Sequence, residues 1–169
     1  YLDDFTSGAT VVGNIVSSVG LGVITCGNGN VIENNIAINT RMFSFDFSSR
    51  GIKTFARNNA EQGMQSPMIT RLLAENKPYT SAAWTARYPR LGQLLELIRA
   101  DPVEAHESHF GTQRNNVNVG GVPASIFNAE KVKTTGTLEA SLDLYEDPGF
   151  VDLRGFDLRL RPDSVIFTK

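Results

Sequence analysis

A mostly β chain, a parallel β-helical solenoid interrupted by an α-helical insertion, is predicted by three features of the 169-residue sequence. Short Val/Ile-rich runs recur with a period of 20 or 21 residues, and Gly and Asn punctuate them. Between about Gly51 and Gly111 the pattern then changes from strand-like to helical.

The repeat is seen by setting Thr10-Val11-Val12-Gly13-Asn14-Ile15-Val16 against Asn30-Val31-Ile32-Glu33-Asn34-Asn35-Ile36-Ala37-Ile38. A weaker third copy is Arg114-Asn115-Asn116-Val117-Asn118-Val119. Runs this short bury little apolar surface alone, so they must stack on one another. Stacking would place Val11, Val31 and Val117 over one another and make an amide ladder of Asn14, Asn34 and Asn116. Those asparagines are read as structural, because left-handed corners favour Asn. Gly20, Gly22, Gly27 and Gly29 are expected at corners with positive φ. They are not a phosphate loop, since no Lys-Ser/Thr follows in a strand-to-helix context.

Within the insertion, Ser66 reads as an N-cap with Pro67 at the first helical position, and Met68, Ile69, Leu72 and Leu73 share a face. A second helix is expected after Pro89, carrying Leu91, Leu94, Leu95 and Ile98 at helical spacing and ended by Asp101-Pro102. Both should pack on the solenoid. Beyond the third copy, Gly136 to Leu144 alternates Leu138, Leu142 and Leu144 with polar residues, and Asp147-Pro148-Gly149 makes a turn. Phe150-Val151-Asp152-Leu153 and Asp157-Leu158-Arg159-Leu160 are expected as closing strands.

The chain has room for one domain spanning 1–169, and its 41% hydrophobic content fills an ordinary core. Sixteen basic residues face 18 acidic ones, a net charge of −2 without a basic cluster interleaved with aromatics, so nucleic acid is not an expected partner. No apolar run approaches the length of a membrane span, so no membrane partner is expected. The single cysteine, Cys26, excludes an internal disulfide and a cysteine-based zinc site. The opening Tyr1-Leu2-Asp3-Asp4 has neither an initiator methionine nor a signal peptide and reads as the middle of a longer protein. A truncated solenoid exposes an unpaired strand edge, where self-association or the remainder of the chain is the expected partner.

Four segments carry a family resemblance: Tyr1-Leu2-Asp3-Asp4 with Ser7-Gly8, the two asparagine repeats, Trp84-Thr85-Ala86-Arg87-Tyr88-Pro89-Arg90-Leu91, and Asp147-Pro148-Gly149-Phe150 with Asp157-Leu158-Arg159-Leu160. Together they resemble the C-terminal part of right-handed parallel β-helix repeat proteins of polysaccharide-degrading microbes. Some of these are similar to glycoside hydrolases of the α-L-fucosidase and xylanase type. The resemblance implies a right-handed solenoid with further repeats upstream, an extracellular or periplasmic location, and a polysaccharide or oligosaccharide partner.

Glycosidic hydrolysis needs two carboxyl groups, and Asp3, Asp4 and Asp46 are the candidates. Asp4 and Asp46 lie 42 residues apart, two periods of 21. Two strand spacings are roughly 9–10 Å, near the upper end of the range of about 6.5–9.5 Å that inverting enzymes use. Alternation along Phe43-Ser44-Phe45-Asp46-Phe47 points the phenylalanines inward and Asp46 to a groove, where Arg50 would keep it ionised as the base. Asp3 or Asp4 would then be the acid. Trp84 and Tyr88, with Tyr79 beside them, would offer a sugar ring an apolar platform unless Trp84 packs in the core. His106 and His109 lack the spacing of a helical metal motif, so no metal or other cofactor is expected. A glycoside hydrolase is thus the first expectation. The rivals are a polysaccharide lyase, for which Arg50, Lys53 and Arg57 make a poor basic cluster, and a non-catalytic carbohydrate-binding surface.

Overall fold

The fold is built from residues that sit in the left-handed region and break the chain into short strands. In the computed structural model, which describes residues 2, 6–25, 27–47, 74, 78–101, 104–106, 108–121, 125–126, 136–139 and 141–167, these corners fall in three aligned sets. They are Gly8, Gly29 and Phe110; Gly13, Asn34 and Asn115; and Ser18, Asn39 and Gly120, all with φ between 50° and 70°. Gly and Asn dominate because they take up this conformation at least steric cost.

Between corners lie β1 (Thr10–Val12), β2 (Ile15–Ser17), β3 (Leu21–Thr25), β4 (Val31–Glu33), β5 (Ile36–Ile38) and β6 (Phe43–Phe47). Helices α1 (Ala82–Arg87) and α2 (Pro89–Ala100) follow. The chain continues through β7 (Thr112–Arg114), β8 (Val117–Val119), β9 (Ser125–Ile126), β10 (Thr137–Leu138) and β11 (Leu142–Leu144), then β12 (Phe150–Asp152) and β13 (Asp157–Leu160). Among the described residues three sheets are parallel, in the orders β1-β4-β7-β10, β2-β5-β8-β11 and β3-β6-β9, whereas β12 and β13 pair antiparallel.

This arrangement corrects the expectation of a right-handed parallel β-helix running through the chain. The described residues form several short parallel and antiparallel sheets with few helices, a predominantly β, mixed fold. The constant circumference that a solenoid reading assumes does not hold. Paired strands are 21 residues apart at Thr10 and Val31, 22 at Leu21 and Phe43, 25 at Val117 and Leu142, and 79 at Asp46 and Ser125. Strands β12 and β13 then form a hairpin that pairs the other way.

The expected valine stack is also corrected. Val11 pairs with Ile32, Val31 with Thr10 and Thr112, and Val117 with Ile36 and Leu142. Aligning Val11-Val12 with Val31-Ile32 at a step of 20 puts the register one residue out, because a doublet of β-branched residues does not declare which member faces inward. The same slip displaced the ladder. Asn34 is a left-handed corner (φ 54°), and it is Asn35 that joins Asn14 to Asn116. Of the four glycines expected at positive φ, only Gly29 has it. Gly22 is required for another reason, since a Cβ there would overlap the Ser44 carbonyl on the neighbouring strand.

Among the described residues two apolar clusters form the core. Val23, Ile32, Ala37, Phe45 and Phe47 make one. Ile38, Val117, Val119 and Phe150 make the other, into which Leu142, Leu144, Leu153, Leu158, Leu160 and Ile166 pack. The helix expected after Pro89 is present, with Pro89 in its first turn and Leu95 and Ile98 buried. The helix expected from Ser66 lies outside the described residues.

The turn before β12 is held by Asp147, whose Oδ1 accepts from the backbone N–H groups of Gly149 (2.9 Å) and Phe150 (2.8 Å). The Phe150 N–H bond is the largest cause holding its carboxyl below the ordinary range, with the Gly149 N–H and the Arg161 charge assisting against desolvation. A depressed folded pKa stabilises the fold above the unfolded value and loses that contribution as pH falls through the folded value. We therefore expect Asp147→Asn to flatten the pH dependence of stability below about pH 4, and a carboxyl-carbon NMR titration to place the Asp147 midpoint under those of exposed aspartates.

Candidate functional site

Strand β6 is where the expected groove and the observed structure part. Ser44, Phe45, Asp46 and Phe47 are all buried, with Asp46 only 2% exposed. Alternation predicts inward phenylalanines and an outward Asp46, but both faces of this strand are covered, so outward does not mean solvent. Asp46 is paired in register with Ile24 and Ser125. Ser44 donates to Asn118 Oδ1 and shares a hydrogen bond with Thr40 Oγ1, inside the protein. Asp46 is therefore corrected from a groove residue to a buried one.

The other carboxylates of the expected pair, Asp3 and Asp4, and the expected partner Arg50, lie outside the described residues, as do Lys53 and Arg57. The 42-residue interval between Asp4 and Asp46 lies partly outside the described residues. Along this sheet Ile24 and Asp46 are 22 residues apart, and the Leu2 N–H reaches Ile24 O.

Trp84 and Tyr88, by contrast, are brought together at the surface. Ser81 caps α1, its Oγ accepting from Trp84 N (3.4 Å), and no residue of that helix is buried. The chain breaks at Tyr88 and Pro89 starts α2, which anchors the pair through Leu95 and Ile98. Trp84 is 45% and Tyr88 48% exposed. Their ring centroids lie 5.4 Å apart at an interplanar angle of 35°. This decides against core packing for Trp84. Arg87 lies with its guanidinium carbon 5.4 Å from the Tyr88 ring centroid, a cation–π contact at the edge of the shelf. Tyr79, in a short 3-10 turn, is half-buried.

The sequence reading missed Arg87 and Arg90. A local charge count would have found them, because residues 76–95 hold Lys77, Arg87 and Arg90 and no carboxylate. The whole-chain balance of −2 conceals that stretch.

His109 has a structural position. It is 4% exposed, its Nε2 lies 3.0 Å from the Glu104 carbonyl and 3.5 Å from Glu104 Oε1, and its backbone N–H donates to Asn28 Oδ1. Among the described residues no group of three His, Cys, Asp or Glu side chains is placed to hold a metal ion. Nor is any helix among them long and apolar enough to cross a membrane.

No known family model, curated protein or solved structure matches this chain.

Proposed function

We propose that this chain recognises carbohydrate, binding a sugar ring of a polysaccharide on the Trp84–Tyr88 shelf, and that it does so without cleaving it. The observation that carries the reading is two large aromatic rings in contact, each nearly half exposed, one on a helix that buries nothing and the other at the break that follows it. Exposed singly, such side chains are ordinary, but a contiguous pair beside a cation is a surface suited to a ligand. The apolar C–H face of a pyranose stacks on an electron-rich ring, and the neighbouring Arg87 and Arg90 suit carboxylate or sulfate substituents on the polymer. The hydrolytic reading needs two carboxyl groups flanking an accessible bond, and Asp46, at 2% exposure, does not supply one of them.

Affinity electrophoresis through gels containing soluble polysaccharides tests this, with acidic and neutral polymers side by side. Trp84→Ala is expected to weaken retardation roughly tenfold or more, as loss of an aromatic anchor does, while the melting temperature stays unchanged. Asp46→Asn should leave affinity intact, whereas a hydrolase would lose turnover on the same substitution. Retardation by no polysaccharide, or equal retardation of the wild type and Trp84→Ala, would defeat the proposal. So would release of new reducing ends.

A further inference from the structure

Building on the carbohydrate reading of the Trp84–Tyr88 shelf, we infer that its ligand is acidic, a uronate ring within a polysaccharide, and that Arg87 is the residue that selects the carboxylate. Trp84, Arg87 and Tyr88 stand at i, i+3 and i+4, the spacing that brings side chains together on one face of a helical turn. Helix α1 ends at Arg87, yet the Tyr88 N–H still donates to Trp84 O (2.8 Å). That bond closes the turn and keeps Tyr88 beside Trp84, with their ring centroids 5.4 Å apart.

Arg87 holds its guanidinium carbon 5.4 Å from the Tyr88 ring centroid. Such a contact uses the charge and not the N–H donors, so the ring orients the guanidinium while its donors stay available. Among the described residues the Arg87 side chain makes no salt bridge and no hydrogen bond, whereas Arg114, Arg159 and Arg161 each meet a carboxylate, of Glu33, Asp157 and Asp163. Residues 76–95 contain no carboxylate to compete for it, and the next cation, Arg90, is exposed as well. A cation in the last turn of α1 also suits the helix carbonyls, but that role requires only charge. A lysine would serve it equally.

A planar fork is matched by a planar acceptor. The uronate carboxyl has two equivalent oxygens and is joined to the pyranose by one bond, so a ring stacked on the shelf holds it at a fixed place on the rim, where a bidentate contact forms. A sulfate ester hangs from an extra oxygen and swings, so ordering it costs more. A neutral sugar gives the fork no charged acceptor and gains chiefly from stacking.

One backbone with and without its charge is the probe: polyglucuronate, the same polymer with its carboxyls reduced to primary alcohols, and dextran sulfate, each cast into an affinity gel and run against the whole chain. Polyglucuronate is expected to bind roughly tenfold or more tightly than its reduced form, the worth of a charge-assisted contact. Arg87→Gln should bring polyglucuronate down to the level of the reduced polymer. Arg87→Lys keeps the charge at the helix end without the fork, and should recover only part of the difference. Arg154→Gln, at an exposed cation of the hairpin, is the control and should change nothing. Equal retardation by both forms of the polymer would overturn the inference and leave the carbohydrate reading standing, whereas retardation by no polymer would end both. Arg154→Gln weakening binding as much as Arg87→Gln would mean general attraction of a polyanion, and Arg87-dependent retardation by dextran sulfate alone would mean a different anion. Either result overturns the choice of a uronate.

Discussion

Replacing Asn35 by alanine is expected to lower the unfolding free energy by about 3–4 kcal/mol, a large share of the roughly 5–15 kcal/mol that holds a domain folded. Asn35 is fully buried. Its Oδ1 accepts twice from Asn14, and its Nδ2 lies within hydrogen-bonding reach of Val11 O (2.9 Å), Glu33 O (2.9 Å) and Asn116 Oδ1 (3.1 Å). Two amide hydrogens are shared among three acceptors, so deleting the group leaves several buried polar atoms short of a partner at once. An unpaired buried acceptor costs more than a made bond contributes, which is why the effect exceeds that of one hydrogen bond. The contrast is Asn14→Ala. Asn14 belongs to the same ladder but is exposed, and water replaces what it loses, so about 1 kcal/mol or less is expected. Urea denaturation of the two variants measures the difference through the midpoint at constant slope. Equal shifts would show that the ladder contributes nothing beyond its separate bonds.

Phe150→Ala is expected to cost about 3–5 kcal/mol, the range for emptying a large aromatic site in a core. Phe150 is 1% exposed and belongs to the cluster with Ile38, Val117 and Val119, so it joins the closing hairpin to the second parallel sheet. The hairpin's polar contacts depend on the same placement. Arg161 Nη1 donates to Phe150 O (2.9 Å), and Ser164 Oγ donates to Pro148 O (2.8 Å). Loss of the ring should therefore open residues 150–160 before the parallel sheets melt. Hydrogen exchange should show protection falling there first while Ile36 to Ile38 stays protected. Uniform loss of protection would mean that the hairpin and sheets form one cooperative unit. Phe156, 70% exposed at the hairpin tip, serves as the control, and Phe156→Ala should change stability by less than about 0.5 kcal/mol.

Features that depend on a few neighbouring residues were legible in the sequence. Pro89 opens a helix because a missing N–H is harmless in a first turn, and the helix stops at Ala100 with Asp101 as its C-cap. The strands at 31–38, 117–119, 150–152 and 157–160 are likewise written in β-branched and leucine runs between turn residues. Register was not legible, since Val11-Val12 and Asn34-Asn35 each offer two adjacent residues of the same type. Only pairing across strands chooses between them, as Asn35 shows by bonding both Asn14 and Asn116. The candidate site divides in the same way. The residue types that suit a sugar were visible at Trp84 and Tyr88, but their exposure was not, and Asp46 looked accessible only because alternation describes faces and says nothing of what covers them.

The sequence by itself determined that this protein is rich in short β-strands, that Gly and Asn mark its corners, and that a helical segment separates its second and third repeats. Each of these follows from backbone preferences acting within a few residues. Tertiary structure alone decided which asparagine enters the ladder, that Asp46 is buried and Trp84 is not, and that the last strands pair antiparallel. The choice of asparagine turns on bonds between residues 21 to 81 positions apart, and no local preference can encode which surfaces such contacts cover.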